Sequence, residues 1–149
     1  MYEFLRNLYI SIFKKDELKR AKKELDSWQH VIQSEGIHGL RKFMSKFKYK
    51  KEDHDWTPDG PEYVVMAGWR DDCDGAAVLG RWGFKQLGIW SQFVRLKGAT
   101  NHRICITESR KWFTSNSNVV EVPDPAKWQE YVLTWGWHKQ KGYTRIEVL

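Results

Sequence analysis

A single cysteine surrounded by acidic residues is the part of this chain whose residue types are best suited to chemistry. Cys73 lies in the sequence DDCDGAA, residues 71–77, and apolar residues at helical spacing follow it. A cysteine at a helix N-terminus faces unpaired backbone N–H groups and the positive end of the helix dipole, and both stabilise a thiolate. The pattern therefore predicts that Cys73 begins a helix as a nucleophile, with Asp72 as the N-cap. A small packed side chain is the alternative, which the neighbouring acids disfavour.

A thiol nucleophile also needs an imidazole to share its proton and a polar group to orient that imidazole. Among the five histidines, His102 is the best placed, since it begins a predicted strand directly after a loop. A hairpin turn centred on Ser109 would put Asn116 opposite His102. A turn one residue longer or shorter would put Ser115 or Ser117 there instead. We therefore predict that His102 and Asn116 complete a catalytic triad, with Ser115 as the alternative third member.

Several short motifs stand in the order and spacing of one family. They are DWTP at 55–58, a glutamate at 62, GWRDDCD at 68–74, LGI at 87–89, and the strand that begins at His102 and is followed by the pair Ser115-Asn116. Over roughly residues 16–122 this arrangement resembles the bacterial transglutaminase-like cysteine peptidases. In that family a D-x-W-x-T-P segment precedes G-D-C-E-D at the start of a helix, and a histidine begins a later strand.

The resemblance implies a papain-like, transglutaminase-like α+β fold and hydrolysis of an amide or peptide bond through an acyl-enzyme. Trp56 is similar to the family tryptophan, which would line the cleft or donate a hydrogen bond from its indole N–H. The helix start at Asp72 and Cys73 would supply a backbone oxyanion donor. The chain departs from the pattern because Ser115 or Asn116 stands where the family has an aspartate. A catalytically weak or inactive interaction module on the same fold is therefore the alternative function.

Metal binding is a second alternative that the acidic motif raises. Some relatives of the family bind calcium through acids beside the cysteine, and Asp71, Asp72 and Asp74 are compatible with that. One motif cannot supply the six or more oxygen ligands that calcium takes. Neither Cys73 nor Cys105 has the paired spacing of a zinc site. We therefore predict no cofactor, and we expect Cys105 to be a core or back-face residue of its strand.

The elements that must position these residues are helices followed by an antiparallel sheet, which defines an α+β domain. Asp16 is a predicted N-cap, Gly36 a predicted helix end, and His138 lies in a predicted loop. The predicted helices cover 2–13, 17–34, 37–49, 73–88 and 125–134, and a loop covers 52–68, within which the apolar run 63–66 is either helix or strand. The predicted strands cover 89–97, 101–108, 111–116 and 143–149, and 119–122 either extends the third of these strands or forms its own.

Charge is concentrated in the first third of the chain. The protein has 149 residues and a net charge of +6, and residues 1–51 hold 13 Lys/Arg against 6 Asp/Glu. We predict a single domain in which 1–15 is a docking or partner-binding helix, 16–51 a basic helical part, and 52–149 the cysteine helix plus sheet. The basic helices indicate an acidic protein partner, a membrane surface or simply a solvated face. No motif that reads RNA or DNA is present, so nucleic acid is not an expected partner.

The first apolar run carries no targeting signal of the usual kind. Residues 4–13 lack a basic segment before them and a small-residue cleavage site after them, and they are too few to span a bilayer. Two cysteines give no disulfide framework. We therefore expect a cytoplasmic protein that acts on a protein or peptide substrate. The small size is also compatible with a phage or mobile-element origin.

Overall fold

Helices cover both faces of one antiparallel β-sheet in the computed structural model, which describes residues 2–51 and 59–149. The described helices are α1 (Tyr2–Phe13), α2 (Lys15–Glu35), α3 (Ile37–Met44), α4 (Pro61–Met66), α5 (Cys73–Gln86), α6 (Trp128–Thr134) and α7 (Gly136–Lys141), with a 3-10 helix at Pro125–Lys127. The fold is α+β, as the order of patterns in the sequence predicts.

The described strands are β1 (Lys48–Tyr49), β2 (Arg70–Asp71), β3 (Ser91–Lys97), β4 (Asn101–Thr107), β5 (Trp112–Ser115), β6 (Asn118–Glu121) and β7 (Arg145–Val148). Five of them form the sheet in the order β6-β5-β4-β3-β7, and every neighbouring pair is antiparallel. The two short strands β1 and β2 form a separate parallel pair, and β2 lies just before Cys73 in the chain.

Helix α5 packs on one face of the sheet through its small residues. A Cβ at Gly80 would overlap the side chain of Thr114 on β5, and one at Gly83 would overlap Leu40 of α3. The glycines cost helical propensity but let α5 lie close to the sheet and to α3. The core on this side contains Phe43, Leu79, Phe84 and Cys105, all with no exposed surface. Cys105 is therefore the core residue that the sequence predicts.

Helices α6 and α7 cover the opposite face of the sheet. Ile104, Ile106 and Phe113 point to this side, where they pack with Val132 of α6. Asp124 caps the 3-10 helix that leads into α6, since its carboxylate accepts from the Ala126 N–H at 3.2 Å. Side chains alternate between the faces of a strand, so His102 lies on the same face as Ile104 and Ile106.

Two predicted helix boundaries require correction. Asp16 is not an N-cap, because α2 begins at Lys15 and the helical hydrogen bonds continue from α1 through Lys14, whose N–H donates to Ile10 at 2.9 Å. Helix α3 ends at Met44, since the chain turns there to form β1. The run 63–66, which the sequence leaves open as helix or strand, is helical and belongs to α4, which begins two residues earlier at Pro61. Trp56 lies outside the described residues.

None of the described helices is both long enough and apolar enough to cross a bilayer.

Candidate active site

Cys73 begins α5, and the side chain of Asp72 caps that helix. The Asp72 carboxylate accepts from the N–H of Asp74 at 3.0 Å and from that of Gly75 at 3.4 Å. This confirms the predicted N-cap. The N–H of Cys73 is the first amide of the helix, so it has no acceptor within the helix. That N–H is therefore suited to donate to an oxygen atom of a substrate.

The sulfur of Cys73 lies against the start of β4. The backbone N–H of Arg103 donates to Cys73 Sγ at 3.5 Å. The side chain of Arg103 forms an ion pair with Asp74, in which Nε lies 3.2 Å from the carboxylate without the geometry of a hydrogen bond. Arg103 follows His102 directly in the strand. The contact therefore anchors the nucleophile candidate one residue from the base candidate.

The electrostatics at Cys73 differ from the sequence prediction of a stabilised thiolate. Burial raises the pKa of the Cys73 thiol, and the charges of Asp74 and Asp72 raise it further, while the N–H and the guanidinium of Arg103 oppose this. Desolvation and the two carboxylates together outweigh the N–H and the guanidinium of Arg103, so the pKa of the thiol is raised. Cys73 is therefore a protonated thiol at neutral pH and needs a base before it can attack.

His102 and Cys73 line the same cavity, of about 580 Å³, without a hydrogen bond between them. The ring of His102 is only 4% exposed, and burial together with the charge of His138 lowers its pKa to about 3. The imidazole is therefore neutral at physiological pH. Its ring lies edge-on to Trp137, with centroids 4.7 Å apart, and stacks on Tyr143 at 6.1 Å.

Ser115, and not Asn116, is the partner of His102. The Nε2 atom of His102 lies 2.9 Å from Ser115 Oγ. The hairpin pairs Cys105 with Thr114, so extending its register would place position 117, not 116, opposite His102. Alternation then puts Ser115 on the face of His102. Asn116 has a positive φ of 49° in the following turn, and its buried Oδ1 finds no hydrogen-bond partner among the described residues, although it lines the cavity.

A second histidine extends this contact. His138 Nε2 lies 2.7 Å from Ser115 Oγ, and His138 Nδ1 lies 2.7 Å from the backbone oxygen of Val132. His138 has no exposed surface and sits in α7, so its predicted place in a loop is wrong. Two tryptophans, Trp135 and Trp137, precede it in the sequence, and that apolar context is the signal that could have indicated burial.

The directions of these hydrogen bonds follow from the chemistry of their ends. The carbonyl of Val132 can only accept, so His138 carries its proton on Nδ1 and accepts at Nε2. Burial lowers the pKa of His138, which keeps the ring neutral and Nε2 unprotonated. The Ser115 hydroxyl therefore donates to His138 and accepts from His102 Nε2–H. His102 is thereby held in the tautomer whose Nδ1 has a free lone pair.

The three acidic residues beside Cys73 take separate roles. Asp71 is buried and its Oδ1 accepts from the Asp72 N–H at 2.7 Å, Asp72 caps α5, and Asp74 pairs with Arg103. Within the described part of the chain, no group of histidine, cysteine, aspartate and glutamate residues is arranged to hold a metal ion. The calcium alternative therefore has no ligand cluster there.

Comparison with known proteins identifies no relative of this chain. The chain matches no family model, no curated protein and no solved structure at a significant level. The resemblance to transglutaminase-like peptidases therefore rests on the sequence motifs alone.

Proposed function

We propose that this protein is a cysteine-dependent amide or peptide hydrolase of transglutaminase-like type, working through an acyl-enzyme. Cys73 is the nucleophile, His102 the general base, and Ser115 the residue that orients His102. The observation that carries the proposal is the hydrogen-bonded chain from Val132 through His138 and Ser115. It leaves Nδ1 as the nitrogen of the His102 ring that can accept a proton, in a residue that shares its cavity with Cys73.

In the acylation step, His102 Nδ1 takes the thiol proton as the sulfur of Cys73 bonds to the amide carbon. The carbonyl oxygen becomes an oxyanion, to which the N–H of Cys73 donates. The C–N bond then breaks, and the proton on His102 passes to the departing amine. In deacylation, water attacks the thioester carbon while His102 takes a proton from it. That proton returns to the sulfur as the thiol leaves.

The pKa values favour general-base catalysis over a preformed ion pair. The pKa of the Cys73 thiol is raised and that of His102 is lowered to about 3, so both groups start neutral. Ser115 and a neutral His138 bring no negative charge to the imidazolium that forms during attack. The transition state is consequently less stabilised than with an aspartate, and we expect a slow enzyme.

The walls of the cavity favour a substrate with acidic groups. Lys51 and Lys141 line it together with Tyr49 and Tyr143, and no carboxylate is among its described lining residues. Asp72 and Asp74 act on the sulfur of Cys73 itself, whereas the two cations attract anions to the cavity walls that they line and disfavour cationic peptides there. An acidic protein or peptide is therefore the expected substrate class.

Acylation by p-nitrophenyl acetate tests the proposal before a natural substrate is identified. Release of p-nitrophenolate measures the attack, and mass spectrometry of tryptic peptides locates the acetyl group. We expect acetylation at Cys73, loss of it in Cys73→Ser, and a rate at least about 100-fold lower in His102→Gln, since general-base catalysis contributes about that much.

His30→Gln is the matched control, because His30 is exposed on α2, far from Cys73 in the sequence. It should retain the rate of the unmodified chain. Equal rates for His102→Gln and the unmodified chain, or acetylation of Cys73 no faster than that of N-acetylcysteine, would overturn the proposal.

A further inference from the structure

Helix α1 turns its apolar side outward. Seven large apolar residues of this one helix are exposed, with Phe4 at 66%, Ile12 at 59% and Phe13 at 68%. Only Arg6 and Ile10 of the helix are buried. A contiguous exposed apolar surface of this extent on a globular protein marks a binding site. We refer to the seven side chains as the apolar face of α1: Tyr2, Phe4, Leu5, Leu8, Tyr9, Ile12 and Phe13.

The apolar face is segregated from every other residue of the helix. At 3.6 residues per turn, its seven side chains occupy one continuous arc of about 180°. The remaining arc holds Glu3, Arg6, Asn7, Ile10 and Ser11, which includes both of the buried residues. Tyr9 and Phe13 are in ring contact on the outer arc, with centroids 5.2 Å apart. A helix that merely docked on the body of the protein would show the opposite distribution.

Cations follow the apolar face along the chain. The hydrogen bonds Lys14 N–Ile10 O and Leu18 N–Lys14 O, both 2.9 Å, carry the helix almost unbroken from α1 into α2. Five basic residues lie on the exposed side of the first turns of α2. Between positions 15 and 23, Asp16 is the only fully exposed acidic residue. The five are Lys15, Lys19, Arg20, Lys22 and Lys23.

We propose that α1 and the start of α2 form a docking site for an anionic lipid surface. The apolar face would enter the boundary between headgroups and acyl chains, while the exposed cations of α2 contact the lipid phosphates and carboxylates. This function is independent of Cys73. The helix lies on the membrane and does not cross it, since α1 has 12 residues and a span needs about 20.

The charges argue for a membrane over the other occupants of such a face. A second copy of this chain would bring two segments, each with 13 basic and 6 acidic residues over 1–51, close together, and their repulsion opposes pairing. An acidic polypeptide would pair with the cations of α2 but would leave the seven large apolar side chains of α1 exposed to water. An anionic bilayer would both pair with the cations and bury the apolar face.

Co-sedimentation of the full chain with vesicles tests the proposal. The probes are vesicles of phosphatidylcholine alone and of phosphatidylcholine mixed with phosphatidylserine. We expect at least about tenfold stronger partitioning onto the anionic vesicles, falling as salt is raised. The variant Lys15→Gln/Lys19→Gln should lose at least about tenfold of that binding.

The apolar face is tested by Leu8→Gln/Ile12→Gln, which we expect to lower partitioning at least about tenfold because two apolar side chains that the bilayer would bury are lost. The matched control is Asn7→Gln/Ser11→Gln, with the same new residues and spacing on the other arc, where Asn7 and Ser11 are exposed as well. It should bind like the unmodified chain. Circular dichroism checks that each variant keeps its helices.

Three results would overturn the proposal. The first is equal or absent binding to both kinds of vesicle. The second is a dimer in analytical ultracentrifugation that Leu8→Gln/Ile12→Gln dissociates, which assigns the face to a second copy. The third is salt-dependent binding to poly-L-glutamate that Leu8→Gln/Ile12→Gln retains, without binding to vesicles. That result assigns the cations to an acidic protein partner.

Discussion

Ser115 lies between two imidazoles and transmits hydrogen-bond direction from one to the other. It donates to His138 and accepts from His102, because the carbonyl of Val132 fixes the proton of His138 on Nδ1. A serine can do both at once, since a hydroxyl has one proton and two lone pairs. The third group of this candidate triad is thus a neutral relay, in place of an anion.

Removal of the relay hydroxyl gives a residue-scale prediction. Ser115→Ala deprives His102 Nε2–H of its acceptor, so the ring samples the tautomer with its proton on Nδ1. We expect the acylation rate with p-nitrophenyl acetate to fall about tenfold or more, as when one buried hydrogen-bond partner is lost. Ser117→Ala makes the same chemical change two residues on and should leave the rate unaltered. If Asn116→Ala lowers the rate and Ser115→Ala does not, the orienting role belongs to Asn116.

At the scale of elements, the geometry of α5 explains why the nucleophile candidate is fixed in place. The helix lies close to the sheet because Gly80 faces Thr114 and Gly83 faces Leu40. This close contact brings the first turn of α5 against the start of β4, where the Arg103 N–H reaches Cys73 Sγ. Small residues far from the sulfur therefore contribute to its position.

A double-mutant cycle tests this close contact. Gly80→Ala improves helix propensity by about 1 kcal/mol, yet we expect it to lower the free energy of unfolding by about 1–3 kcal/mol, because the new methyl group overlaps the buried side chain of Thr114. In a Thr114→Ala background the overlapping hydroxyl and methyl groups are gone and only the Cβ of residue 114 stays close, at 3.0 Å, so Gly80→Ala should then destabilise the protein much less. Urea denaturation measures all four proteins. Destabilisation of equal size in both backgrounds would contradict this account.

The elements that the sequence predicts well are those with a periodic pattern or a cap. Helix α5 with Asp72 as its cap, the helix end at Gly36 and strands β3 to β5 follow from local residues. Helix α7 has six residues, begins at Gly136 and is followed by Gly142, and it gives no periodic signal. Strands β1 and β2, of two residues each, depend entirely on pairing across the chain.

The candidate site shows the same difference between residues marked by a local pattern and residues placed by contacts across the chain. Cys73 and His102 stand out because their types are rare and their positions begin elements. The choice between Ser115 and Asn116 depended on a register shift of one residue, which the turn sequence does not determine. The contact of His138 with Ser115 joins residues 23 apart through packing of α7 on the sheet. No local pattern encodes such a contact, so only the assembled fold reveals it.

At the scale of the whole molecule, the two buried histidines link stability to pH. Burial lowers the pKa of both, that of His102 from 6.5 to about 3. The unfolded chain binds protons at these sites near pH 6.5 and the folded chain does not, so the unfolded state gains protons as pH falls. The stability that neutral His102 confers is complete above pH 6.5 and is lost progressively as pH falls toward 3.

We therefore expect the free energy of unfolding to decrease between pH 7 and pH 5, with His102 accounting for about 2 kcal/mol of that change at about 1.4 kcal/mol per pH unit below 6.5. Urea denaturation at the two pH values measures it. In His102→Gln the decrease should be smaller by that amount, because glutamine does not titrate. His30→Gln serves as the control, since it makes the same chemical change at an exposed position of α2 and should leave the pH dependence unaltered. A His102→Gln variant that loses as much stability as the unmodified chain would show that His102 protonates freely in the folded protein, and a neutral base at this position would then be untenable.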